Sequence, residues 1–139
     1  MLFLCYFLGL NPYFDFYGGS NEWLCNVPLD TSTNVNKDDM NKKYNCKNDE
    51  ARSMIICHAK KGTKITVYDD GYLNADNNDD WTTITVKKDM THECSTIDTF
   101  QKDVSNSFFN VDYKTNGNLD EKISSFSISF GNSSVKLSI

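Results

Sequence analysis

Histidine and proline are scarce in this chain of 139 residues: two histidines, His58 and His92, and two prolines, Pro12 and Pro28, both near the N-terminus. Cys57 and His58 are adjacent in an expected strand, which sends their side chains to opposite faces and excludes a nucleophile–base pair between them. A zinc site drawn from Cys46, Cys57 or His58, His92 and Cys94 matches no established ligand spacing. The nucleophile elbow Gly-x-Ser-x-Gly, the glycine-rich phosphate loop and the dinucleotide fingerprint are all absent. No enzyme class therefore finds its machinery here, and a non-enzymatic chain is expected. Basic residues are outnumbered, 14 Lys and Arg against 19 Asp and Glu, which gives a net charge of −5. A chain with this balance lacks the positive face that a phosphate backbone requires, so nucleic acid is excluded as a partner. Long apolar runs are missing too. The longest, residues 1–10 (MLFLCYFLGL), is too short to span a bilayer, so no membrane span is expected.

Helical periodicity is almost as rare. Residues 36–48 (NKDDMNKKYNCKN) place Met40, Tyr44 and Cys46 on no wide stripe, and read as a long polar loop with room for one short helical turn. What the chain has is strand material. Aromatics make up 13% of it, mostly Phe and Tyr, which favour strands, and turn-forming Asn, Asp, Ser and Thr are abundant. Residues 53–58 (SMIICH), 63–68 (TKITVY), 81–88 (WTTITVKK), 108–114 (FFNVDYK), 123–130 (ISSFSISF) and 134–139 (SVKLSI) are short strands. Asp69-Asp70-Gly71, the Asn-Gly of residues 115–118 and Gly131-Asn132 turn the chain between them. Alternation assigns Ile65, Val67, Phe109, Val111, Phe126 and Ile128 to one core and turns Lys64, Thr66, Asp112 and Ser127 outward. Short alternating strands with almost no helix mean an all-β sandwich or barrel in a single domain.

Five cysteines are present. Cys5 lies in the apolar N-terminal run. Cys25, Cys46, Cys57 and Cys94 lie in the polar body and allow two disulfides in three connectivities. Residues 1–11 read either as a truncated signal peptide or as a first strand: the length suits a signal core, but no basic residues precede it and no small-x-small cleavage site follows. With the body cysteines and the sequon Asn132-Ser133-Ser134, this run predicts a secreted protein.

One pattern recurs: two Asn, Asp or Glu residues, two arbitrary residues, then a Ser/Thr pair entering a strand. It occurs as Asn78-Asp79-Asp80-Trp81-Thr82-Thr83, as Asp120-Glu121-Lys122-Ile123-Ser124-Ser125, and, degenerate, as Asn48-Asp49-Glu50-Ala51-Arg52-Ser53. Carboxylates, amides, hydroxyls and turn carbonyls are all oxygen donors, the set that Ca²⁺ collects at six to eight positions. Alternation in the following strand aims the fifth residue at the loop and the sixth at the core. Elsewhere, Asp69-Asp70 and Asp79-Asp80 read as solvated turn carboxylates rather than a glycosidase pair. Trp23 and Trp81 read as packing residues rather than a sugar platform.

The hexapeptide resembles the calcium-binding signature of βγ-crystallins, N/D-N/D-x-x-S/T-S, which closes each Greek key of that family. Residues 62–70 (GTKITVYDD) resemble the opening strand of a key, and residues 16–20 (FYGGS) its aromatic-x-Gly hairpin. The resemblance implies a βγ-crystallin-like β-sandwich of two Greek-key motifs over residues 12–139, with keys at about 12–58 and 62–130. It implies a calcium-binding structural or binding protein. In its site Asp120 and Glu121 shape the loop, the Lys122 carbonyl and the Ser124 hydroxyl ligate, and Asn48 or Asp49 contributes from the paired key. Asn78, Asp79 and Thr82 would form a further metal loop. The family also contains secreted proteinase inhibitors and killer-toxin-like effectors, so a disulfide-stapled protein that engages an extracellular protein or glycan is the alternative. Three departures carry consequences. Ser53 and Ser125 stand 72 residues apart, about twice a family key, so the second key carries an insertion, expected around residues 91–107. On that register Asn78 to Thr83 falls in the key's first hairpin. Arg52 stands where the first key needs a hydroxyl, and Glu121 replaces the usual Asp or Asn.

Overall fold

Period-two burial decides which face of each strand meets the other sheet. A computed structural model describes residues 10–76, 79–114 and 117–131 of the chain. Among these residues the elements run β1 (Tyr13–Tyr17), β2 (Trp23–Pro28), β3 (Thr33–Val35), α1 (Lys37–Lys42), β4 (Ser53–Cys57), β5 (Lys64–Tyr68), β6 (Trp81–Val86), β7 (Cys94–Ile97), β8 (Val104–Ser105), β9 (Phe109–Lys114) and β10 (Ser125–Ser129). The chain is an all-β sandwich of two antiparallel sheets, ordered β2-β1-β4-β7 and β3-β10-β5-β6-β9-β8. Cys5, the Asn132 sequon, the Thr115-Asn116 turn and the expected strand at residues 134–139 lie outside the described residues.

The connections repeat. β1 and β2 form a hairpin, β3 crosses to the other sheet, and β4 returns beside β1. β5 and β6 form a second hairpin, β7 crosses back to pair with β4, and β10 returns beside β5. Each four-strand unit therefore lends its third strand to the other's sheet, and neither sheet is complete without both. The extra chain of the second unit begins after β7, within the expected stretch 91–107, and runs on through β9; residues 94–97 are not part of it, because Cys94–Ile97 is itself the crossing strand. The surplus appears as β8 and β9, which extend the six-stranded sheet beyond β6.

The two sheets close on one core. Ile65, Val67, Phe109, Val111, Phe126 and Ile128 are all buried in it, as alternation requires. Phe126 of β10 packs edge-on against Phe14 and Phe16 of β1, with ring centroids 5.6 and 5.8 Å away, and so joins the sheets. Lys64 and Asp112 are exposed, whereas Thr66 is covered beside Thr83, their hydroxyls 3.1 Å apart. Residues 36–48 form a loop that carries one short helix, α1: Asn36 caps it by accepting from the Asp39 N–H at 2.9 Å, and Met40 is fully buried. Two disulfides staple the fold, Cys25–Cys46 and Cys57–Cys94. The first ties β2 to the loop after α1, and the second joins directly opposed residues of β4 and β7.

Candidate cation site between the closing loops

The loops that precede β4 and β10 carry the two closing hexapeptides, and the strand exchange brings them against each other. The Asp49 N–H donates to the Ile123 carbonyl at 2.8 Å, and the Glu121 N–H donates to the Ala51 carbonyl at 2.8 Å. Asp49 and Glu121 hold the same place in their hexapeptides and the same left-handed backbone, φ 64° and 66°. The Arg52 N–H donates to the Tyr17 carbonyl at the end of β1, and the Ser124 N–H to the Tyr68 carbonyl at the end of β5. Interchanging the two units maps these bonds onto one another, so the loops form a local two-fold pair.

Their side chains break the symmetry. On one side the Ser124 hydroxyl lies 2.9 Å from Asp49 Oδ1, to which it donates, and 3.4 Å from the Lys122 carbonyl. The three oxygens around this hydroxyl's hydrogen bonds are hard donors, the kind that could serve as part of a Ca²⁺ shell. Water would supply the remaining positions. On the other side the hydroxyl position is taken by Arg52, which is exposed, and the Asp49 position by Glu121. The Glu121 carboxylate lies over the β1–β2 turn, where a Cβ on Gly19 would stand 2.9 Å from its Oε2.

Two expected loop residues are already engaged. Asp120 accepts from the Thr99 hydroxyl and from the Phe100 N–H at 2.7 Å, while its own N–H donates to Gln101 Oε1 at 2.6 Å. It anchors the extra chain of the second unit. Asn48 Oδ1 faces Asn41 Nδ2 of α1 at 3.5 Å. The sixth residue, Ser125, is fully buried; its hydroxyl donates to the Asp70 carbonyl and accepts from the Leu73 N–H at 3.1 Å, bracing the β5–β6 turn.

The third hexapeptide folds differently. Asn78 lies outside the described residues. Thr82 is fully buried and donates to the Phe100 carbonyl, because the inward phase of β6 falls on it; its hydroxyl is turned away from the acidic turn. That turn spends its oxygens on backbone N–H groups, its own and that of Gly117 in the turn after β9. Asp70 Oδ2 accepts from the Tyr72 and Asn74 N–H groups at 2.7 and 3.3 Å, and Asp80 Oδ1 accepts from the Gly117 N–H at 3.2 Å. Burial, with Asp80 and Asp70 nearby, raises the Asp69 carboxyl above the ordinary range even though the Asp80 N–H opposes the shift. The Asp79 carboxyl is raised chiefly by a shared hydrogen bond with Asp76.

His58 departs from the sequence expectation. β4 ends at Cys57, and a left-handed φ of 59° at His58 turns the imidazole back, so a ring nitrogen lies within 4.8 Å of the Cys57 and Cys94 sulfurs. No glycine or asparagine announces that turn. Trp23 and Trp81 stand on different sheets, the first exposed and the second half-buried. No helix among the described residues is long and apolar enough to cross a membrane. No family model, curated protein or solved structure matches this chain.

Proposed function

We propose that this chain is a non-enzymatic, secreted domain of the βγ-crystallin type that takes up one Ca²⁺ where its two closing loops meet. One observation carries the reading: Asp49 Oδ1, the Lys122 carbonyl and Ser124 Oγ converge although Asp49 and Ser124 are 75 residues apart in sequence. All three are hard oxygen donors, and Asp49 supplies the negative charge that a cation needs. The exchange of third strands between two four-strand units supports the crystallin assignment, since it is what sets two closing loops side by side. Arg52 limits the stoichiometry, because a guanidinium offers donors only and repels a second ion. The two disulfides suit an oxidising compartment and support export. Bound calcium would tie the end of one unit to the end of the other, so its role is to rigidify a binding or structural surface.

Amide chemical-shift mapping during calcium titration of the oxidised protein tests this reading. Saturable shifts at Asp49, Lys122, Ile123 and Ser124, lost in Asp49→Asn, are expected. Shifts confined to the acidic turn around Asp69 and Asp80, or none at all, would overturn it.

A further inference from the structure

The Cys57–Cys94 edge brings together a second, chemically distinct group. The two cysteines face each other across β4 and β7 with Cα atoms 4.0 Å apart, Cys57 buried and Cys94 exposed on the edge strand. The left-handed turn at His58 places a ring nitrogen within 4.8 Å of both sulfurs. His58 Nδ1 lies 3.2 Å from the Thr91 carbonyl. A carbonyl only accepts, so Nδ1 donates there, and in the neutral ring the lone pair is then on Nε2, the tautomer of many metal-binding histidines. We propose that this edge is a redox-gated site for a zinc-type ion: once the Cys57–Cys94 bond is reduced, both thiolates and the His58 imidazole bind one metal, with water as fourth ligand. The set of two sulfurs and one imidazole selects a soft or borderline ion and is independent of the calcium reading.

The chemistry balances with an external dithiol as reductant. The dithiol closes to its own disulfide and delivers two electrons and two protons; the Cys57–Cys94 bond breaks to two thiols, and metal binding then releases both thiol protons to water. Exposed Cys94 is the sulfur open to attack. In a tetrahedral site with zinc–sulfur bonds near 2.3 Å the two sulfurs stand about 3.8 Å apart. Rotation of the Cys94 side chain, free on its edge, provides that separation without parting the strands.

Cobalt titration with absorption detection tests the proposal, using a phosphine reductant and circular dichroism to follow the sheets. The oxidised chain should give no thiolate-to-cobalt charge-transfer band. The reduced chain, its sheet signal retained, should give one that saturates at one cobalt per chain and is displaced by zinc. His58→Ala should weaken binding at least about tenfold and alter the ligand-field bands, and Cys94→Ala should abolish the charge-transfer band. A reduced chain without the band, or one that gains it only after losing its sheet signal, would overturn the proposal. So would His58→Ala binding as tightly as the native chain, or an undiminished band in Cys94→Ala, which would move the ion to Cys25 and Cys46.

Discussion

Replacing Phe126 by alanine tests the sandwich at its centre. The ring is fully buried on β10 and meets three aromatic partners edge-on, with centroids 5.6 Å from Phe14, 5.8 Å from Phe16 and 5.7 Å from Tyr44. Two of these partners sit on the facing sheet, so the substitution opens a cavity between layers that neighbouring strands cannot close by sliding. Phe→Ala in a core costs about 3 to 5 kcal/mol, and the loss of several aromatic pairs puts this site near the upper end. Against a total stability of roughly 5 to 15 kcal/mol for a domain, that is a large fraction. Phe126→Leu keeps most of the apolar volume and should cost about 1 to 2 kcal/mol, which supplies a reading if the alanine variant does not fold. Urea unfolding of the oxidised protein, followed by the fluorescence of half-buried Trp81, measures both. The midpoint should fall with the slope unchanged. A loss below about 1.5 kcal/mol for Phe126→Ala would mean that the sheets do not meet through this ring, and the core assignment would fail.

Three further outcomes follow from individual residues. Asp120→Ala removes a carboxylate that holds the Thr99 hydroxyl and the Phe100 N–H, and should cost about 2 to 4 kcal/mol in urea unfolding, with Asp120→Asn milder; an unchanged midpoint would refute the anchoring role. Asp69 has its carboxyl raised by burial and by its acidic neighbours, so between the ordinary value of 3.8 and the raised one the folded chain holds more proton than the unfolded chain. Its contribution to stability is therefore lost as pH rises through that window. Asp69→Asn should gain roughly a few tenths of a kcal/mol at neutral pH, solvent screening included, and nothing below the window; a gain that persists in acid would contradict the mechanism. Arg52→Ser should restore a hydroxyl to the second loop and raise calcium stoichiometry from one towards two, whereas Ser124→Arg should abolish the first site; equal calcium binding by Ser124→Arg and the native chain would remove Ser124 from the site.

β4, β5, β6, β9 and β10 were legible in the sequence, and so was the core they share; β1 was not, although its burial alternates as cleanly. Residues 64–68 and 125–129 carry β-branched or aromatic residues on one face and polar ones on the other, which fixes both strand and phase. The edge strands were not legible. β3 has three residues and β8 two, too short for periodicity, and β7 buries only Ile97. β2 contains Pro28, tolerated because the strand lies at the sheet's edge. The hexapeptides could be read as oxygen-rich loops, and Ser124 with Asn48 or Asp49 as candidate ligands, but spacing alone leaves open which loops meet. That depends on β3 and β7 changing sheets. Thr82 shows the limit of motif matching: it sits at the right offset, yet the phase of β6 turns its hydroxyl into the core. His58 shows another limit, since period-two reasoning stops at the strand's end and a left-handed residue reverses its result.

Calorimetric titration of the oxidised chain with Ca²⁺, against a chelator control, tests calcium uptake between the closing loops. One ion per chain is expected, because Asp49, Lys122 and Ser124 offer oxygens on one side of the loop pair while Arg52 closes the other. An affinity in the range of extracellular calcium modules, with Kd on the order of 10⁻⁴ to 10⁻³ M, is expected of a site with one carboxylate and several waters. Saturation at 100 times Kd would then stabilise the fold by about 2.7 kcal/mol. No saturable binding up to calcium at about twenty times that Kd, or two equivalent ions per chain, would contradict this expectation.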